Sequence, residues 1–108
     1  MNDFTKQLLL REEAREELLH EVSYYDSKRS GTGRRFREAV NESFALILRF
    51  PTAGAPAPAQ TRRTKVRGFP FTVVYREEDQ QIVVFAIAPD RQRPGYWLSR
   101  TDEPGGAG

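Results

Sequence analysis

The sequence predicts an α+β domain in which an antiparallel helical hairpin packs on one face of a small, mainly antiparallel sheet. Three observations support this: helical apolar periodicity in the first half, a proline-rich break, and strand-like apolar runs after it. A chain of 108 residues has room for one core. The predicted order is β-α-α-β-β-β, with one domain over residues 1–100 and a flexible tail over residues 101–108.

The first half is predicted to form a strand and then two helices. A short strand over about residues 6–10 precedes a helix that begins at Glu12, and a second helix covers about residues 33–49. Apolar residues recur every three or four positions in both helices, which is typical of one buried stripe each. A glycine turn at residues 30–33 separates the helices, and Pro51 stops the second. The stripes are Ala14, Leu18, Val22 and Tyr25, and then Phe36, Val40, Phe44 and Ile47.

The second half is predicted to supply three more strands. Residues 51–61 contain prolines and no charge, which indicates a partly extended surface connection. The apolar period then changes to two, so that Arg63, Lys65 and Arg67 are expected to share one strand face. The continuously apolar run IVVFAIA indicates a central strand. The three strands cover about residues 62–67, 71–75 and 81–88.

Composition excludes several classes of site. The chain has no cysteine, which removes disulfides, thiolate zinc sites and cysteine nucleophiles. Its single histidine, His20, is expected to face solvent, and there is no nucleophile elbow or phosphate-binding glycine loop. The carboxylates of the first helix are interpreted as a solvated face with ion pairs. No apolar run reaches the roughly 20 residues of a membrane helix. We therefore expect a cytoplasmic protein without a metal or cofactor.

The charge distribution indicates an anionic partner. Residues 51–100 contain eight basic and four acidic residues, and this excess favours a nucleic acid or an acidic polypeptide as the partner. One kind of catalysis remains open: cleavage of RNA through its own 2′-hydroxyl, with cations stabilising charge and a tyrosine or lysine moving protons. The candidate catalytic residues are then Lys65, Arg67, Arg91, Arg93 and Tyr96. In the alternative they are surface cations or ligands for an acidic partner, and Trp97 is a packing plug under the sheet or a base-stacking platform.

Several short motifs occur in a fixed order over about residues 10–100. They are Tyr24-Tyr25 ending the first helix, Gly31-x-Gly33-x-x-Phe36 opening the second, Phe50-Pro51, Arg67-Gly68-Phe69-Pro70-Phe71, and Arg93-Pro94-Gly95-Tyr96-Trp97-x-x-Arg100. In this order the chain resembles the ParE branch of the ParE/RelE toxin superfamily, often labelled plasmid-stabilisation proteins. One departure concerns the stretch after the last strand, where the family commonly has a histidine and this chain has Pro89 after Ala88.

The resemblance implies the toxin of a type II toxin–antitoxin pair with a RelE/ParE-like fold. ParE toxins are associated with poisoning DNA gyrase, and a cognate antitoxin, ParD-like or related, wraps around the toxin in a hetero-oligomer. We therefore expect a non-enzymatic gyrase inhibitor. The alternatives are a RelE-type ribosome-dependent mRNA endoribonuclease, or a non-toxic antitoxin-binding module. The residues expected to bind the target or the partner are Arg63, Lys65, Arg67, Arg91, Arg93, Tyr96, Trp97 and Arg100.

Overall fold

The computed structural model describes residues 6–102 and shows two helices packed on one face of a five-stranded sheet. This confirms the predicted α+β fold class and adds one short strand inside the proline-rich connection. The elements are β1 (Gln7–Leu10), α1 (Glu12–Lys28), α2 (Thr32–Arg49), β2 (Ala55–Ala57), β3 (Thr61–Lys65), β4 (Phe71–Glu77), β5 (Gln81–Pro89) and a 3-10 helix (Leu98–Asp102). None of the helices in this range is long and apolar enough to cross a membrane. Of the tail predicted for residues 101–108, residues 101 and 102 belong to the 3-10 helix, and residues 103–108 lie outside the described residues.

The strand order is β1-β5-β4-β3-β2, which makes the apolar β5 an interior strand, as predicted. β1 runs parallel to β5, and the other neighbouring pairs are antiparallel. β1 pairs only with the first half of β5, from Gln7 opposite Gln81 to Leu10 opposite Val84. Beyond Val84, β5 therefore has no neighbouring strand on that side within residues 6–102.

The face of the sheet under the helices holds the main core. The apolar stripes of both helices point into it, and their central residues are buried while Val22, Tyr25 and Phe44 lie at its margin. Tyr25 joins an aromatic cluster with Phe36 and Phe69 at ring-centroid distances of 5.2 to 5.3 Å. This cluster fixes the hairpin against the turn between β3 and β4. The buried members of the core are Ala14, Leu18, Phe36, Ala39, Val40, Ile47, Val66, Phe71, Val73, Tyr75, Ile82, Val84 and Ile87.

The opposite face of the sheet is covered by the C-terminal segment. Trp97 packs there against Val74, Ala86 and Ala88 and is only 5% exposed, so the packing role predicted for this side chain is the observed one. The register shifts in β5, because Tyr75 lies opposite Val84 and Val74 lies opposite Ala86. Such a shift bends the strand locally and re-aims its side chains.

The prediction that Arg63, Lys65 and Arg67 share one face of a strand was wrong for Arg67. β3 ends at Lys65, and Val66 turns inward, where it is 1% exposed. The amide of Val66 donates to the Phe71 carbonyl at 2.9 Å, and Gly68 has a φ of +83°, so this stretch forms a tight turn. Arg67 therefore lies on the turn, outside the strand that carries Arg63 and Lys65.

The helical hairpin closes through a single carboxylate. Asp26 of α1 accepts hydrogen bonds from the amides of Gly31 at 3.2 Å and Gly33 at 2.9 Å. It thereby satisfies amide groups at the start of α2 that have no acceptor within their own helix. A Cβ atom on Gly33 would lie 2.3 Å from the Val22 carbonyl oxygen, so the two helices can approach this closely only because residue 33 is glycine.

Replacing Gly33 with alanine should lower the free energy of unfolding by about 2 kcal/mol, because the new methyl group overlaps the Val22 carbonyl. At an ordinary helical position the same change stabilises by about 1 kcal/mol. Urea unfolding followed by circular dichroism measures the difference. Ala45→Gly, on the exposed face of α2, is the control and should cost only about 1 kcal/mol. A Gly33→Ala variant as stable as the parent would contradict the close approach.

Candidate functional site

The structure brings four of the eight predicted binding residues together. Arg63, Arg93, Tyr96 and Trp97 line one groove on the sheet face away from the helices. Lys65 lies at the end of β3, and Arg67 and Arg91 are exposed at the end of the sheet that contacts the helical hairpin. Arg100 belongs to the C-terminal segment, as do Tyr96 and Trp97; Arg100 and the Tyr96 hydroxyl contact Glu17, and Trp97 is buried.

The groove lies between the β3–β4 pair and the C-terminal segment and has a volume of about 340 Å³. Its floor is apolar, and Arg63 and Arg93 supply positive charge on its walls, where Asp90, which is paired with Lys65, also lies. Such a combination suits a peptide segment that presents apolar side chains together with carboxylates. The principal apolar lining residues are Val74, Ala88, Pro94, Trp97 and Leu98.

Lys65 is held by a neighbouring carboxylate. Its Nζ donates to Asp90 Oδ2, and Thr72 Oγ1 donates to Oδ1 of the same side chain at 3.0 Å. The hydrogen bond from Lys65 lowers the pKa of Asp90 below its usual value; burial opposes this, and the hydrogen bond from Thr72 and the charge of Lys65 add to the lowering. Lys65 therefore adds little net positive charge to this surface.

Glu17 of α1 is the centre of the polar contacts made by the C-terminal segment. Its Oε2 accepts from the Tyr96 hydroxyl at 2.7 Å and from Arg100 Nη2 at 2.9 Å. Its Oε1 accepts from Arg100 Nη1 at 3.1 Å and from the Ile87 amide at 3.0 Å. Arg100 Nη1 also donates to the Phe85 carbonyl at 2.9 Å. The pair therefore satisfies backbone groups on the part of β5 that β1 does not reach.

The environment of Tyr96 determines its chemistry. Burial, and then the hydrogen bond to Glu17 and the charge of that carboxylate, raises the pKa of Tyr96 well above its usual value. Arg100 lies 5.1 Å above the Tyr96 ring; burial lowers the pKa of Arg100, but the contact with Glu17 outweighs it and leaves that pKa raised. Tyr96 is thus a protonated donor whose proton is already used by Glu17, an arrangement unsuited to a general base.

Sequence reasoning missed Glu17, which it placed with the other carboxylates on a solvated helix face. The side chain is instead only 21% exposed. A signal was present, because Glu17 follows Ala14 by three positions and adjoins Leu18, which places it beside the buried stripe. His20, in contrast, is exposed as predicted. Within residues 6–102 no three histidine or carboxylate side chains lie together as a metal site would require.

The chain matches the model of one protein family, and its fold is similar to that of a solved structure. The model of the ParE toxin of type II toxin–antitoxin system, parDE, matches residues 8–94. A solved structure of the chromosomal ParDE TA system from P. aeruginosa is similar with a TM-score of 0.70 and 15% identity, over 81% of this chain and 98% of that chain. At this identity the likeness shows a shared fold. No curated protein matches the chain.

Replacing Glu17 with glutamine should lower the free energy of unfolding by about 3 kcal/mol, because Arg100, whose side chain is 15% exposed, would lose its counter-ion. Urea unfolding at neutral pH measures the loss. Glu16→Gln is the matched control on the exposed side of α1 and should change stability by less than about 0.5 kcal/mol. Equal losses for the two variants would show that the Glu17–Arg100 pair does not hold the C-terminal segment.

The raised pKa of Tyr96 predicts that its hydroxyl stays protonated in the folded protein when ordinary tyrosines ionise near pH 10. Tyr96→Phe should therefore leave the phenolate absorbance change between about pH 9 and 11 unaltered. Since the folded pKa exceeds the unfolded one, the hydroxyl stabilises the fold below about pH 10, and this contribution is lost as pH rises through the folded pKa. Loss of one phenolate step in the variant, with circular dichroism still native, would contradict the buried contact.

Proposed function

Because this chain belongs to the ParE toxin family of type II toxin–antitoxin systems, we propose that it is a toxin that inhibits DNA gyrase by binding and is neutralised by a cognate antitoxin. The family match supports a toxin, and the arrangement of the candidate residues supports a non-enzymatic one. The observation that carries this choice is the use of the Tyr96 hydroxyl as an internal donor to Glu17 at 2.7 Å.

The other residues that an RNA-cleaving toxin would need do not all lie at one site. Lys65 is paired with Asp90, and Asp90 follows Pro89, at the stretch where the resemblance leads one to expect a histidine. Arg91 acts electrostatically on Tyr25, in the aromatic cluster under the helices, whereas Arg93 lines the groove on the opposite face of the sheet. A catalytic set would have to converge on one reacting phosphate, and this distribution disfavours convergence.

The groove supports the proposal of an antitoxin partner. Its apolar floor and the positive charges of Arg63 and Arg93 complement an amphipathic, acidic segment. Such a segment would bury Leu98, which is 39% exposed at the rim. The complex would be a hetero-oligomer of toxin and antitoxin in the cytoplasm, where both gyrase and a co-produced antitoxin are accessible.

A gyrase supercoiling reaction with the purified protein tests the proposed target. A gyrase poison should inhibit supercoiling and should increase linear DNA in proportion to the protein added, because cleaved DNA accumulates on the stalled enzyme. Tyr96→Phe should retain this activity as long as the variant is folded. An absence of both effects at excess protein would reject the gyrase target. Ribosome-dependent mRNA cleavage that Lys65→Ala abolishes would then establish the endoribonuclease alternative.

Charge reversal in the groove tests the antitoxin proposal. Arg63→Glu combined with Arg93→Glu should slow association with an acidic antitoxin at least tenfold at low salt, and added salt should reduce the difference. Surface plasmon resonance with the co-encoded small protein measures the rate. The control is Arg15→Glu with Arg49→Glu, which makes the same charge change on exposed positions of the helices. Similar slowing by both pairs would mean that net charge, and not the groove, governs binding.

A further inference from the structure

We propose that the tip of the helical hairpin, together with Arg67 and Arg91, is a binding surface for the phosphate backbone of duplex DNA. The surface consists of Lys28, Arg29, Arg34, Arg35, Arg37, Arg67 and Arg91, all of which are exposed. It is separate from the groove on the other side of the sheet. The proposal does not depend on gyrase, because it concerns direct contact between this chain and DNA.

The fold concentrates positive charge at this tip although the first half of the chain is neutral by count. Between residues 24 and 38 the sequence has five cations and two carboxylates, Asp26 and Glu38. The Asp26 carboxylate is occupied by the amides of Gly31 and Gly33, so it serves the hairpin turn. Of the five other carboxylates of α1, those at positions 12, 13, 16 and 17 lie toward the other end of the hairpin, and Glu21 lies between the two ends. The tip is therefore strongly positive.

The cations of the tip are available to a ligand. Arg34 lies 3.9 Å from Glu38, but the two side chains are 82% and 64% exposed, so solvent weakens this pair. Arg35 makes only a long contact of 3.4 Å with the Thr32 hydroxyl. Among the partners that residues 6–102 offer, neither Arg29 nor Arg37 has a side-chain ion pair. Phosphates could therefore bind without displacing a strong internal contact.

The aromatic cluster brings two more arginines to the tip. Phe69 contacts Tyr25 and Phe36 at ring-centroid distances of 5.2 Å, and this fixes the turn that carries Arg67 against the hairpin. Arg91 is close enough to Tyr25 to oppose the rise in the pKa of that hydroxyl, which burial and then Glu21 produce. Arg67 and Arg91 thus lie at the end of the sheet that packs against the hairpin.

The chemistry of the surface favours nucleic acid over an acidic protein. Six of its seven cations are arginines, whose planar groups match phosphate oxygens. Protein partners require an apolar centre, and Tyr24 is the large apolar side chain that is exposed here, covered by Lys28 at 5.3 Å. The other large apolar side chains exposed in residues 6–102 lie elsewhere, at Leu9, Leu19, Leu46, Phe50 and Leu98.

Fluorescence anisotropy with a labelled 20-base-pair duplex tests the proposal without gyrase. Arg34→Ala combined with Arg35→Ala should weaken binding at least fivefold and should lower the slope of log K against log salt by about 2, since two phosphate contacts are lost. The matched control is Arg15→Ala with Arg49→Ala, which removes the same charge at the opposite end of the hairpin and should weaken binding less than about twofold.

Three outcomes would overturn the proposal. They are an absence of duplex binding by the parent protein at low salt, equal losses in the two double variants, and tighter binding of a 20-residue poly-glutamate peptide than of the duplex at the same salt. The last outcome would assign the tip to an acidic protein. Thermal unfolding verifies that both double variants are folded. Loss of duplex binding with unchanged gyrase inhibition would separate the two proposals.

Discussion

The structure depends most on the hydrogen bonds made by the second half of β5 along the edge that β1 does not cover. β1 ends at Leu10, opposite Val84, and the backbone groups of Phe85 and Ile87 beyond it are paired by Arg100 and Glu17. Leaving these backbone groups without hydrogen bonds would lower the stability of the fold. Glu17 and Arg100 supply the hydrogen bonds that a neighbouring strand would otherwise make. The same pair holds the C-terminal segment, and that segment brings Trp97 onto the sheet. The second core and the groove therefore both depend on one carboxylate of α1.

Local sequence patterns predicted the helices and the main strands well, because the spacing of apolar residues follows directly from which side chains are buried. Ala14 and Leu18 in α1, and Phe36 and Val40 in α2, are buried where the helical period placed them. The strand at Ala55–Ala57 escaped notice because its central residue, Pro56, is typical of loops; an edge strand tolerates proline, since one side of it needs no amide donor. Arg67 was misplaced because the alternating pattern runs into the turn at Gly68.

The candidate site was less predictable because its properties depend on contacts between distant residues. Composition indicated which cations are on the surface, but it could not show that Asp90 would hold Lys65 or that Glu17 would hold Arg100. Trp97 was expected either to pack under the sheet or to stack on bases, and nothing in the sequence indicated that the Tyr96 hydroxyl would contact Glu17. The hairpin likewise separates charges that cancel in the sequence, because four of the six carboxylates of α1 lie in its first two turns and three of the four arginines of α2 lie near its start.

The contact between Glu17 and Arg100 also determines when the fold can be completed during synthesis, because 83 residues separate the two side chains. At about 5–20 residues per second, a ribosome needs between about 4 and 17 s to progress from one to the other. The helical hairpin is local and can form on the nascent chain. β1, however, has to wait for β5, and the edge of β5 has to wait for Arg100. The groove therefore forms only after Arg100 has been synthesised, and until then the second half of β5 lacks the hydrogen bonds that complete its edge.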